Sequence, residues 1–174
     1  MSEQLKDFRA WYVDVLAQLY PIGDAGIAAL MISLPLLERY LRQKNKLGPD
    51  DKLDAAMPDM SAIFPALKDA RTAQQFWSVY RNGFLHQVTL AQRTRRGTAL
   101  PQGWLTHDIA EAVRIDADGS FCVNPVLLSQ RIIAVIEADF ATFAGVASGA
   151  PPLPVVTRRD PVTIPSSYLG TGTP

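Results

Sequence analysis

The chain has 174 residues, 48% hydrophobic and 20% charged, and its 17 basic side chains are balanced by 17 acidic ones. That length suits one domain that can bury its own core without a metal or a disulfide. A net charge of zero excludes a polybasic nucleic-acid binder, and the composition excludes a disordered acidic chain.

Cys122 is the only cysteine, which rules out an intramolecular disulfide and a cysteine-based zinc cluster. The first seven residues carry acids and no apolar signal core, so a cytoplasmic, reducing location is expected. The most apolar stretch, residues 27–37, is shorter than the ~20 residues a membrane-spanning helix needs. No membrane association is expected.

Leu5, Phe8, Tyr12, Val15, Leu16 and Leu19 recur at steps of three and four. This predicts an amphipathic helix ended by Pro21 and Gly23. A second helix is expected from a cap at Asp24 to about Lys46, apolar all round over residues 27–34 and kinked at Pro35. Its end collects Arg39, Arg42, Lys44 and Lys46, where the helix dipole favours cations. Residues 50–70 read as one or two short helices broken at Pro58 and Pro65. From Thr72 to about Ala91 a further helix places Phe76, Val79, Tyr80, Gly83, Phe84 and Leu90 on one side. A loop with Gly97, Pro101 and Gly103 follows.

Two short alternating runs, residues 112–116 and 120–123, flank Asp118-Gly119 and predict a small β-hairpin. Asn124-Pro125 is a strong helix start, with Asn as N-cap and Pro in the first turn. Leu128, Ile132, Val135, Ile136, Phe140 and Phe143 give that last helix its buried stripe. Residues 146–174 hold six of the thirteen prolines and only three charges, Arg158, Arg159 and Asp160. An extended C-terminal arm is expected there, lying on its own domain or a neighbour. The division is thus a helical domain over 1–145 and a Pro-rich arm over 146–174.

The chemistry concentrates in the fourth helix. Asn82 and His86 stand one turn apart on one face, whereas Arg81 and His86 are separated by about 140° of arc. With no Asp or Glu nearby, the group suits phosphate better than a metal. Arginine offers a planar fork to non-bridging oxygens, and histidine exchanges a proton near neutral pH. The bland reading is a snorkelling cation and a hydrogen-bonded boundary histidine.

Residues 70–107 hold no acid but contain Arg71, Arg81, Arg93, Arg95 and Arg96, a net of +5. Arg93, Arg95 and Arg96 follow closely on His86 and are candidate nucleic-acid backbone contacts; otherwise they form a solvated loop. Glu38 reads first as a salt-bridge residue and second as a polar group for a site. His107-Asp108 reads as a helix cap more readily than as a dyad. Cys122, Trp77 and Tyr80 read as packed side chains.

The string Arg81-Asn82-Gly83-Phe84-Leu85-His86, late in a helical domain and followed by a helix opening on Asn124-Pro125, resembles the HEPN superfamily. That family's signature is an arginine, four to six residues, then a histidine, and the likeness covers roughly residues 5–145. It implies a mostly α, HEPN-like helical bundle, here with one small β-hairpin and the extended arm, often assembled as a homodimer. Active members are metal-independent endoribonucleases needing no cofactor, in which the RNA 2′-OH attacks the adjacent phosphate and leaves a cyclic phosphate end. Carried over, His86 is the acid/base, Arg81 stabilises charge on the phosphoryl oxygens, and Asn82 orients the histidine or holds phosphate. Many members keep the helices without turnover. The second reading is therefore a non-catalytic interaction or regulatory module, such as an antitoxin-like or sensor partner of another protein.

Overall fold

The computed structural model describes residues 2–87, 90–94 and 96–145, with side chains at 85–87 excepted. The fold is mostly helical with a small three-stranded sheet. The expected arm, 146–174, lies outside the described residues.

The first helical segment runs as α1 (Glu3–Phe8), a π-helical turn (Arg9–Val13) and α2 (Asp14–Leu19). Ser2 caps it, its Oγ accepting from the Leu5 amide. Phe8 anchors this segment in the core, its ring 5.2 Å from that of Phe143.

A single turn of 3₁₀ helix (Gly23–Ala25) leads into α3 (Gly26–Lys44), which continues through Pro35. Asp24 does not cap α3: the N-cap is Ala25 and makes no side-chain hydrogen bond. Nor is the start of α3 buried all round. Leu30 and Leu34 are in the core, but Ile27 and Met31 are exposed.

A 3₁₀ turn (Leu53–Ala56) precedes α4 (Met57–Ile63). Pro58 sits in the first turn of α4 and starts that helix instead of breaking it, because its missing N–H is one the first turn leaves unpaired anyway. Helix α5 (Ala70–Gln87) buries Phe76, Val79, Tyr80 and Phe84. It ends earlier than its apolar periodicity suggests. The chain folds back so that the Ala91 amide donates to the Val79 carbonyl at 3.0 Å.

The expected hairpin is present, but it belongs to a larger sheet. Strand β1 (Gly103–Leu105), β2 (Val113–Ile115) and β3 (Phe121–Val123) lie in the order β1-β3-β2, with β1 parallel and β2 antiparallel to β3. Gly119, at φ 83°, takes the left-handed position that the turn requires.

Tyr80 fastens α5 to this sheet. Its buried hydroxyl lies 3.0 Å from the Trp104 carbonyl and 2.9 Å from that of Phe121, and accepts from the Trp104 amide at 3.2 Å. Burial pushes the phenol well above its ordinary pKa. Gly103 must be small here, since a Cβ would stand 2.7 Å from Val79 Cγ1 and 3.1 Å from the Tyr80 oxygen.

Helix α6 (Pro125–Ala138) opens as its sequence predicts, with Asn124 Oδ1 accepting from the Val126 and Leu127 amides. It packs on α3, where the buried hydroxyls of Ser33 and Ser129 meet at 3.0 Å. Helix α7 (Phe140–Ala144) closes the described chain. Among the described residues no helix is long and apolar enough to cross a membrane.

Candidate functional site

Helices α3 and α5 pack together and bring Glu38 against Arg81. Arg81 Nη2 is 2.6 Å and Nε 2.8 Å from Glu38 Oε2. The other carboxylate oxygen, Oε1, accepts from Arg42 at 3.0 Å. One carboxylate therefore sits between two guanidinium groups and leaves a local surplus of positive charge.

Arg42 is further engaged, donating from Nη1 to the carbonyls of Gly48 at 2.7 Å and Asp51 at 3.0 Å. It thereby ties down the loop after α3. Arg81 Nη1 donates to Asn82 Oδ1 at 3.3 Å, and its Cζ lies 6.0 Å from the centre of the Trp77 ring. Charge pairing on one edge and aromatic contact fix the guanidinium plane.

This group lies on a cleft of about 810 Å³. Arg81 and Asn82 line it from α5, Glu38 and Arg42 from α3, and Asp51, Lys52 and Asp54 from the segment beyond. A further wall comes from Ala91, Arg93, Thr94, Arg96, Thr98 and Leu100, in the expected loop, which a single bridge narrows to a tight turn. Arg93 bridges Ala99, the Leu100 amide donates to the Gln92 carbonyl, and Gly97 turns the chain at φ 81°. The turn sets the exposed Arg93 and Arg96 on the cleft wall.

Of the residues singled out in the sequence, the structure brings Arg81, Asn82, Arg93 and Arg96 to one cleft. The backbone of His86 lies in α5, one turn beyond Asn82; its side chain lies outside the described residues, as does Arg95. Glu38 is the expected salt-bridge residue, and it also lines the cleft.

Sequence reasoning missed the part played by Arg42 and Lys52. Arg42 carried a usable signal, since it follows Glu38 by four positions on one helix. Lys52 carried none. Gln74 also lines the cleft, and its buried Oε1 has no hydrogen-bond partner among the described residues.

His107 and Asp108 form neither a dyad nor a helix cap. His107 Nε2 is 3.3 Å from the Gly23 carbonyl, while Asp108 closes a local turn with the Thr106 hydroxyl. Trp77, Tyr80 and Cys122 are packed, as expected. Burial, followed by the hydrogen bond to Asp116 at 3.0 Å, raises the Cys122 thiol pKa and keeps it protonated.

No family model, curated protein or solved structure matches the chain. Its functional reading therefore rests on the residues of the cleft.

Proposed function

We propose that this chain is a HEPN-like protein whose cleft engages the phosphate of RNA or a nucleotide through Arg81, Asn82 and His86. The observation that carries this reading is the shared cleft. Arg81, held in orientation by Glu38, opens on the same cavity as Asn82, Arg93 and Arg96. A phosphate there meets a pre-oriented guanidinium, an amide, and a cleft wall on which Arg42, Lys52, Arg81, Arg93 and Arg96 outnumber the acids Glu38, Asp51 and Asp54.

The chemistry we assign to the site is metal-independent RNA cleavage. The 2′-oxygen bonds to phosphorus and the bond to the 5′-oxygen breaks. The 2′-hydroxyl gives up its proton, and the departing oxygen gains one. His86 serves this proton traffic, Arg81 meets the charge growing on the phosphoryl oxygens, and Asn82 orients one or the other. A homodimer setting two such clefts together accompanies the proposal.

One observation favours a second reading, the non-catalytic interaction module. Glu38 already occupies both Nε and Nη2 of Arg81, so the arginine has a structural role whether or not phosphate binds. Incubating the purified protein with single-stranded RNA in EDTA separates the two. Cleavage to cyclic phosphate ends, lost in both His86→Ala and Arg81→Ala folded variants, supports the nuclease. Binding without cleavage supports the module. Cleavage that survives both substitutions removes this motif from the chemistry.

A further inference from the structure

A different face of the molecule carries an inference independent of the cleft. Trp11, Val15, Ile22, Ile27 and Met31 are between 38% and 55% exposed. They follow one another along the π turn, α2, the connection and the first turns of α3, and α2 packs on α3. Between residues 10 and 37 the only charged side chains are Asp14 and Asp24, both exposed. A helix pair facing water ordinarily carries mixed charges on its outer surface. Residues 10–37 instead present large apolar side chains, two acids and no cation.

Charge argues against a second copy docking through the same strip. A two-fold contact would gather four acids, Asp14 and Asp24 of each copy, into one interface with no cation of the strip to pair them. The strip calls for an apolar occupant that brings positive charge.

The C-terminal arm has that composition. Val155, Val156, Val162 and Ile164 flank Arg158 and Arg159, with a single acid, Asp160, among them. The chain also starts in the right place. Phe143, at the end of α7, packs on Phe8, three residues before Trp11. From Phe8 to the end of α2 at Leu19 the helical segment extends roughly 16 Å at about 1.5 Å per residue. Ten residues lead from Gly145 to Val155, and an extended chain of that length reaches about 31 Å. Prolines at 151, 152 and 154 favour such extension and lower the entropy lost on docking.

We propose that residues 155–164 of this chain lie across the strip from Trp11 to Met31, in the same molecule, with their aliphatic side chains on it and Arg158 and Arg159 toward Asp14 and Asp24. The test uses the full chain with the photocrosslinking residue p-benzoylphenylalanine in place of Ile27. Crosslinks within one molecule to residues 150–170, lost in the Arg158→Glu/Arg159→Glu variant at unchanged circular dichroism, are the expected result. Crosslinks that join two molecules, crosslinks that miss the arm, or full yield in the charge-reversed variant each overturn the proposal.

Discussion

Glu38 on α3 and Arg81 on α5 meet at 2.6 Å, with side chains only 15% and 22% exposed, and the same carboxylate holds Arg42. The three groups make one unit. Helix α3 is fixed against α5 by a bridge whose positive surplus faces the cleft. Removing the shared carboxylate takes away the charge that holds two neighbouring guanidinium groups together, whereas removing Arg81 leaves Glu38 still paired with Arg42.

That asymmetry gives the first prediction. Glu38→Ala should lower stability by about 1–3 kcal/mol, between the values for exposed and buried pairs. Arg81→Met, which keeps most of the apolar stem, should cost less. Urea unfolding of the two variants measures the order, and a larger loss for Arg81→Met would contradict the shared-carboxylate account.

Tyr80 and Gly103 test how α5 positions the sheet. Tyr80→Phe removes a hydroxyl shared by three backbone groups and should cost about 1–3 kcal/mol, because buried amide groups lose their partner. Gly103→Ala should destabilise by a similar ~1–3 kcal/mol through overpacking, since its Cβ would stand 2.7 Å from the stiff Val79 side chain. Thermal unfolding reads both, and a neutral Gly103→Ala would refute the close approach.

Asn124 is both a cap and a clamp. Its Oδ1 takes the first amides of α6, and its Nδ2 donates to the Ile109 carbonyl at 3.1 Å. Asn124→Ala should therefore cost more than the ~1 kcal/mol of an ordinary N-cap. Asn124→Asp keeps the acceptor but loses the donor, and chemical denaturation should place it between the two.

Acid should reveal the Asp59 pair. Burial raises this carboxyl's pKa, but hydrogen bonds from Lys44 and Asn45 and the Lys44 charge outweigh it, so the net shift is below 3.8. A folded-state pKa below the unfolded value means stability fully present above about pH 4 and lost as pH falls further. Asp59→Asn should be less stable than the parent at pH 5–8 by a constant margin that shrinks below pH 4. Unfolding curves across pH 3–7 measure that margin, and one independent of pH would contradict the assignment.

Local features were legible in the sequence. The stripe of Phe76, Tyr80 and Phe84, the Asn124-Pro125 start and the turn at Gly119 each depend on neighbours within a few residues. Strand β1 was not legible, because it has three residues and its order comes from Tyr80 and from parallel pairing with β3. The Arg93–Ala99 turn was hidden for a similar reason, its strands being a single bridge long. For the site, residue types and the basic bias of residues 70–107 were readable. The partner of Arg81 was not, since Glu38 lies 43 positions away and only the packing of α3 on α5 brings them together. The outer face of α3 misled because an apolar run does not reveal which side the protein covers.

The central claim is that the cleft beside Arg81 is a phosphate-binding site. Fluorescence anisotropy with a short single-stranded oligoribonucleotide, titrated at several salt concentrations, tests it most directly. The parent protein should bind with salt-dependent affinity. The Arg93→Ala/Arg96→Ala variant should bind more weakly with a shallower salt slope, and Arg81→Met more weakly still, with folding intact. Binding by the parent that is unchanged in both variants, or no binding at low salt, would contradict the account.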